Sequence, residues 1–171
     1  MNIFAIEKTN DGGIDWEASA KSLDNLRVVK MILESCQMLC TTINLLYDDQ
    51  VSPYKTAYKN HPSTKWVRES SANFECLVRH TMSMLDEYTE RFSKTHKCAG
   101  VLEKVIDLYD PTMFPSSEPT RLPLCMPDNY KSDDIVESYR RFYSDKPKMR
   151  YTSDKIPAWF LKYRKEEFTL I

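Results

Sequence analysis

Glycine is nearly missing from this chain: there are three in 171 residues, two of them adjacent at Gly12 and Gly13. Tight hairpin turns and glycine-rich phosphate loops both need residues at positive φ, so the scarcity argues against a β-rich fold and against a nucleotide P-loop. Histidine is scarce too. His61, His80 and His96 form no i, i+4 pair and no CxxC accompanies them, so neither a metal site nor a cofactor is expected. No apolar run approaches the roughly 18 residues a spanning helix requires, and no membrane association is expected. Charge of one sign is missing as well. With 24 Lys and Arg against 25 Asp and Glu the net charge is −1, so any contact with nucleic acid has to be local rather than a global basic field. No serine-hydrolase elbow, Rossmann fingerprint or cysteine-protease signature occurs. The five cysteines, Cys36, Cys40, Cys76, Cys98 and Cys125, are an odd number and follow no secretory leader, which reads as reduced thiols in an intracellular compartment.

What is present suits a globular protein. Hydrophobic residues at 42% and charged residues at 29% are too mixed for long disorder, and 171 residues can bury a core without disulfide staples. The expected fold is mainly α: a single compact helical domain, 1–171, with a short extended amino-terminal segment and an irregular proline-rich connection. Its helical core should span about 22–110, the connection 111–127, and a carboxy-terminal helix and tail 128–171. "MNIFAI" alternates like one strand or an extended anchor, and "KTNDGGID" is a turn cluster. From Asp24 to about Tyr47 the period becomes helical, with Leu26, Val29, Leu33, Cys36, Cys40, Ile43 and Tyr47 as one buried stripe and Val28, Ile32 and Leu39 beside it. A helix capped by Asn60 or Ser63 follows, with Pro62 in its first turn; it runs to about Phe92 with a break near 70–73, where Ser71 or Asn73 caps the restart. Phe74, Leu77, Leu85, Tyr88 and Phe92 form the core side, and His80, Glu87, Arg91 and Lys94 another face. Further helices are expected over Cys98–Tyr109 and Ser132–Tyr143, and Trp159, Phe160 and Tyr163 of the tail can lie on the body.

The chemistry concentrates on two helices and the connection between them. Arg27, Lys30, Glu34, Gln37 and Thr41 repeat along the first helix, either as a solvated face or as the polar strip of a cleft. "YKNHPSTKW", Tyr58 to Trp66, crowds an amide, an imidazole and cations at a helix start. Arginine, lysine and amide groups suit phosphate oxygens, and one carboxylate among cations suits acid/base work. The candidate substrate contacts are Arg27, Lys30, Gln37, Asn60, His61, Arg68, Asn73, Arg91, Lys94 and His96, with Glu34 as the candidate acid/base. Cys36 and Cys40 share the apolar stripe and read as core.

The chain resembles a group of small phage and virus proteins in "MNIF", "VVKMILESCQMLC", "NHPSTKWVRES", "EYTERFSKTHK", "MPDNYK" and "VESYRRFY", from Met1 to about Tyr143. In that group the position of Arg27 is often histidine and that of Ser93 often glycine. More distantly it resembles the pyrimidine-dimer DNA glycosylases, of which phage endonuclease V is one, over about the first hundred residues. Those proteins share a short extended amino terminus, a helix bearing a catalytic glutamate, here Glu34, and a segment similar to "YKNHP" ahead of a helix with "E…R" near its end. The resemblance implies an N-glycosidic bond in DNA as target, with DNA or a nucleotide as partner in a host cytoplasm. It also implies the chain's own α-amine as nucleophile and a Schiff base on C1′, with the Asn60-His61-Pro62 entrance holding a flipped nucleotide. Asn2 is a poor context for methionine removal, so that amine is Met1's or Asn2's. The rival reading is a non-catalytic viral module that binds a host protein or a nucleotide through the same cleft. Nothing in the sequence bears on oligomeric state.

Overall fold

The computed structural model describes residues 1–164 and 167–171. Its helices are α1 (Trp16–Lys21), α2 (Asn25–Tyr47), α3 (Pro62–Glu69), α4 (Ser71–Phe92), α5 (Ala99–Asp107), α6 (Ile135–Ser144) and α7 (Phe160–Tyr163). The fold is mainly α. A short parallel pair, β1 (Arg150–Tyr151) beside β2 (Thr169–Leu170), sets Arg150 opposite Thr169 and Tyr151 opposite Leu170. The long helices α2 and α4 pack on each other, α1 lies against α4, and α3 leans on both.

Helix α2 is long because nothing interrupts it: its 23 residues hold no glycine or proline. Asp24 starts it, accepting from Leu26 N at 3.3 Å. One expectation fails here. Leu26, Val29 and Leu33 are 39–40% exposed, and the buried side is Val28, Met31, Ile32, Ser35 and Leu39. Two apolar stripes compete on this helix. The one that wins faces α4 and α3, and the upper half of the other is left on the surface.

The expected interruption between the next two helices occurs at Ser70, whose extended backbone (φ −154°) frees its hydroxyl to accept from Asn73 N at 3.1 Å. Ser70 is therefore the cap, in place of Ser71 or Asn73. His61 caps α3 through Nδ1, which accepts from Ser63 N at 3.2 Å, and displaces both Asn60 and Ser63 from that role. Helix α4 ends on Ser93 at φ 52°, a left-handed position that glycine adopts without strain. Asp134 caps α6, two residues after the expected start at Ser132.

The His80, Glu87 and Arg91 side of α4 is buried against α1. His80 Nδ1 lies 2.7 Å from Trp16 O, so a neutral ring donates there. Burial is the main cause that pulls its pKa down to about 4, with the Trp16 hydrogen bond opposing. Below an unfolded value of about 6.5 the unfolded chain binds a proton that the folded one refuses. Stability should therefore fall as pH drops from about 6.5 to about 4, by about 3 kcal/mol at most from this residue. Urea unfolding across that range checks it: His80→Gln should show a slope shallower by about one proton, and an unchanged slope would contradict the assignment.

The first six residues form neither helix nor strand and pair with no strand among the described residues. Ile3, Phe4, Ala5 and Ile6 are buried, and Ser19 Oγ accepts from Ile6 N and Glu7 N at 3.1 and 3.0 Å. From α6, Arg140 Nε donates to Ile6 O at 2.7 Å, and the Phe4 ring meets Tyr143 at 4.9 Å. The amino terminus is thus clamped between α1 and α6. The proline-rich connection crosses the surface irregularly, but Phe114, Leu122 and Met126 reach into the core. Trp159, Phe160 and Tyr163 do pack on the body, with Trp159 Nε1 donating to Glu7 at 2.6 Å; residues 165 and 166 of the tail lie outside the described residues.

Candidate active site

A cavity of about 490 Å³ opens where the amino terminus crosses the first turns of α2. Met1, Asn2 and Phe4 form one wall, Leu26, Arg27, Lys30, Met31 and Glu34 a second, and Lys146, Pro147 and Lys148 a third. Residues 27, 30, 31 and 34 share a helix face by the spacing of three and four. That face meets the chain start because Phe4 is anchored against α6. The Met1 α-amine then stands 3.9 Å from Glu34 Oε2, and Asn2 N donates to the same oxygen at 3.3 Å. Lys30 Nζ is 3.5 Å from the other carboxylate oxygen. Among the described residues Glu34 is the one carboxylate lining the cavity, against four cationic side chains and an α-ammonium. The net charge of −1 thus hides a locally positive cavity. Asn2 Oδ1 is shielded from solvent and has no hydrogen-bond partner among the described residues, an open acceptor beside the amine.

The third wall is nailed to α2 through its cap. Asp24 Oδ1 accepts from Tyr143 Oη at 2.7 Å, and Asp24 Oδ2 accepts from Arg150 N at 3.2 Å. Arg27 bridges the two walls, with Nη1 3.3 Å from Asp24 Oδ2 and Nη2 donating to Pro147 O at 2.8 Å. His61 belongs to the same electrostatic neighbourhood. Its pKa is lowered chiefly by burial and then by the amino-terminal charge, with Glu34 pulling the other way. The "YKNHP" segment therefore comes near the amine through His61, while its Asn60 points elsewhere.

The remaining candidates separate. Asn60 and Arg68 line a second hollow with Lys59 and Lys65, where Arg68 donates to Lys59 O. Lys94 and His96 line a third, with Val29, Leu33, Tyr54 and Tyr88, which shares Lys30 with the first. Gln37 is half-buried, one turn past Glu34 and outside these hollows. Two candidates are structural. Asn73 Nδ2 donates to Trp66 O and Thr120 Oγ1 at 2.8 and 2.7 Å, and its Oδ1 accepts from Thr120 N at 3.0 Å. Arg91 donates to Glu87, Leu23 O, Asn25 Oδ1 and Lys21 O, and its side chain is 1% exposed. Both have their polar atoms fully engaged inside the fold.

Lys146 and Lys148 were missed. The segment "DKPKMR" places cations around a proline after a helix, a detectable sign of a surface turn. Nothing in it shows that the turn returns to residue 27. Among the described residues no group of three or more His, Cys, Asp or Glu could hold a metal ion, and no helix is long and apolar enough to cross a membrane.

An amine and a carboxylate meet inside a cation-lined cavity of a mainly helical protein, an arrangement that suits an anionic substrate. A family model described as pyrimidine dimer DNA glycosylase matches residues 1–99, more than half of the chain, and the chain belongs to that family. Its function is therefore of the glycosylase kind in DNA repair, with DNA as the substrate, which places it inside a cell. No curated protein and no solved structure matches it.

Proposed function

We propose that this protein cleaves the N-glycosidic bond of damaged pyrimidines in DNA by imine chemistry at the Met1 α-amine, with Glu34 as the proton-transfer group. The observation that carries this reading is the 3.9 Å approach of that amine to Glu34 within the cation-lined cavity. An α-amine loses its proton closer to neutrality than most lysines do, which suits it to attack C1′. Its lone pair forms the new C–N bond as the bond to the base breaks. The base leaves with that electron pair and takes a proton. The sugar C1′–O4′ bond then opens to give the imine, and Glu34 sits within reach of the amine and sugar protons that must move.

The cations have separable tasks. Lys30 and Lys148 are exposed at the rim and suit phosphate oxygens on either side of an extruded nucleotide, whereas Arg27 holds the third wall in place. Exposed Leu26 beside them offers apolar surface for a base or sugar. His61 stands behind the amine. Lys94 and His96, in the hollow that shares Lys30 with the cavity, and Asn60 and Arg68, in the hollow beside Leu45 and Leu46, suit more distant phosphates. The whole chain, 1–171, acts as one unit in this reading, because the cavity joins its first residues to 146–148. Its likeness to phage and virus proteins supports a host cytoplasm as the place of action.

Borohydride trapping tests the mechanism. With a labelled oligonucleotide carrying an abasic site or a pyrimidine dimer, a covalent adduct should form and map by proteolysis and mass spectrometry to the amino-terminal peptide. Absence of any adduct on both substrates would remove imine chemistry.

A further inference from the structure

The cavity holds a second amine whose surroundings differ from those of every other lysine near it. Lys146 Nζ lies 3.4 Å from the centroid of the Phe142 ring, half-buried, and makes no ion pair with a carboxylate among the described residues. Lys30, by contrast, is ion-paired to Glu34 with its side chain 71% exposed, and Lys148 stands exposed at φ 56°. The backbone that carries Lys146 is fixed from two sides. Arg164 Nη1 donates to Lys146 O at 2.9 Å, and Arg27 Nη2 donates to the next carbonyl, Pro147 O, at 2.8 Å. Half-burial of the amine and the neighbouring Arg27 and Lys30 supply the two conditions that activate lysines which form Schiff bases, against the attraction of the Phe142 face for an ammonium.

We propose that Lys146 Nζ is a second imine-forming amine of this cavity, able to take the C1′ aldehyde of an opened abasic sugar. The inference rests on reading the cavity as a site of sugar chemistry, but it names a nucleophile other than the α-amine. The titration of Lys146 agrees with the geometry: burial first, then Arg27 and Lys30, lower its pKa to about 8 against the opposing pull of Glu34. A useful fraction of Lys146 is therefore unprotonated near neutrality, which an ordinary lysine lacks. In the step itself the Nζ lone pair adds to the aldehyde carbon and the C=O π pair moves to oxygen. Both amine hydrogens leave with that oxygen as water, and a C=N bond remains. Borohydride reduces it by placing hydride on C1′, and the nitrogen takes a proton from solvent.

The test needs the α-amine removed without touching lysines. Transamination with glyoxylate does this, since it requires the carbonyl next to an α-amine and converts Met1 to a keto group. The full-length transaminated protein is mixed with an abasic oligonucleotide and borohydride, and the adduct is mapped. The expected result is a residual adduct on the peptide containing Lys146, lowered at least about tenfold in Lys146→Arg, because a guanidinium keeps the cation over Phe142 and cannot deprotonate. The melting temperature of untreated Lys146→Arg should stay within about 2 °C of wild type, which shows that the fold is intact. Transaminated wild type that gives no adduct, while untreated protein traps at Met1, would overturn the role of Lys146 and leave the α-amine mechanism standing. Residual adduct mapped to Lys30 or Lys148 would overturn it too. Trapping of untreated protein at Lys146 alone would uphold it and displace the α-amine, and no trapping by any form would remove both.

Discussion

Replacing Glu34 by glutamine should lower base excision about 10²- to 10⁴-fold, the range that a positioned acid/base group contributes. The amide keeps the size and the acceptor oxygen that Asn2 N uses, so the cavity should hold its shape. What it loses is the ability to take and return a proton beside the α-amine. DNA binding should tighten slightly or stay within about threefold, since removal of a carboxylate makes the cavity more positive toward phosphates. Steady-state excision from a dimer-containing duplex, with binding measured by fluorescence anisotropy, separates the two. A variant that keeps more than about a tenth of wild-type excision would move Glu34 out of the proton-transfer role.

The second large effect is on stability. Arg91→Met should destabilise the protein by about 3–5 kcal/mol, because Glu87, itself 3% exposed, is left as a buried charge. Lys155 Nζ lies 3.6 Å from Glu87 Oε1 and offsets part of that charge, which favours the lower end of the range. For a chain of this length the change corresponds to a fall in melting temperature of about 10 °C. The carbonyls of Lys21 and Leu23 also lose their donors. Combining Glu87→Leu with Arg91→Met should restore part of the loss, since the buried charge disappears with its partner. A melting temperature within about 2 °C of wild type for Arg91→Met would return this arginine to the surface, and with it a possible contact to DNA.

Arg91 also shows where sequence reading ends. Its spacing with His80 and Glu87 is what a solvated helix face displays, and only the carbonyls at the end of α1 distinguish the two cases. Helix starts were more legible. Asp24 before an apolar period, Pro62 after a capping residue and a serine at the break between α3 and α4 are local signals, and the structure keeps each within a residue or two. The face of α2 was not legible, because two apolar stripes of equal quality run along it and the packing partner decides between them. Glu34 is legible as one carboxylate among the cations of the polar stripe on α2, and the resemblance points to the same residue. Its pairing with the chain's first residue depends on contacts of Phe4 and Arg140 with partners more than a hundred residues apart in sequence, which no local pattern encodes.

The walls of the cavity come from segments more than a hundred residues apart in sequence. During synthesis the amine and the carboxylate emerge from the ribosome first, while Lys146 to Lys148 follow more than a hundred residues later. Until Asp24 receives Tyr143 and Arg150, the α2 cap lacks those two donors and the cavity lacks its third side. A nascent chain therefore carries the amine and the carboxylate without the wall that completes the cavity, and competence to act on DNA should appear late and abruptly, with the docking of α6.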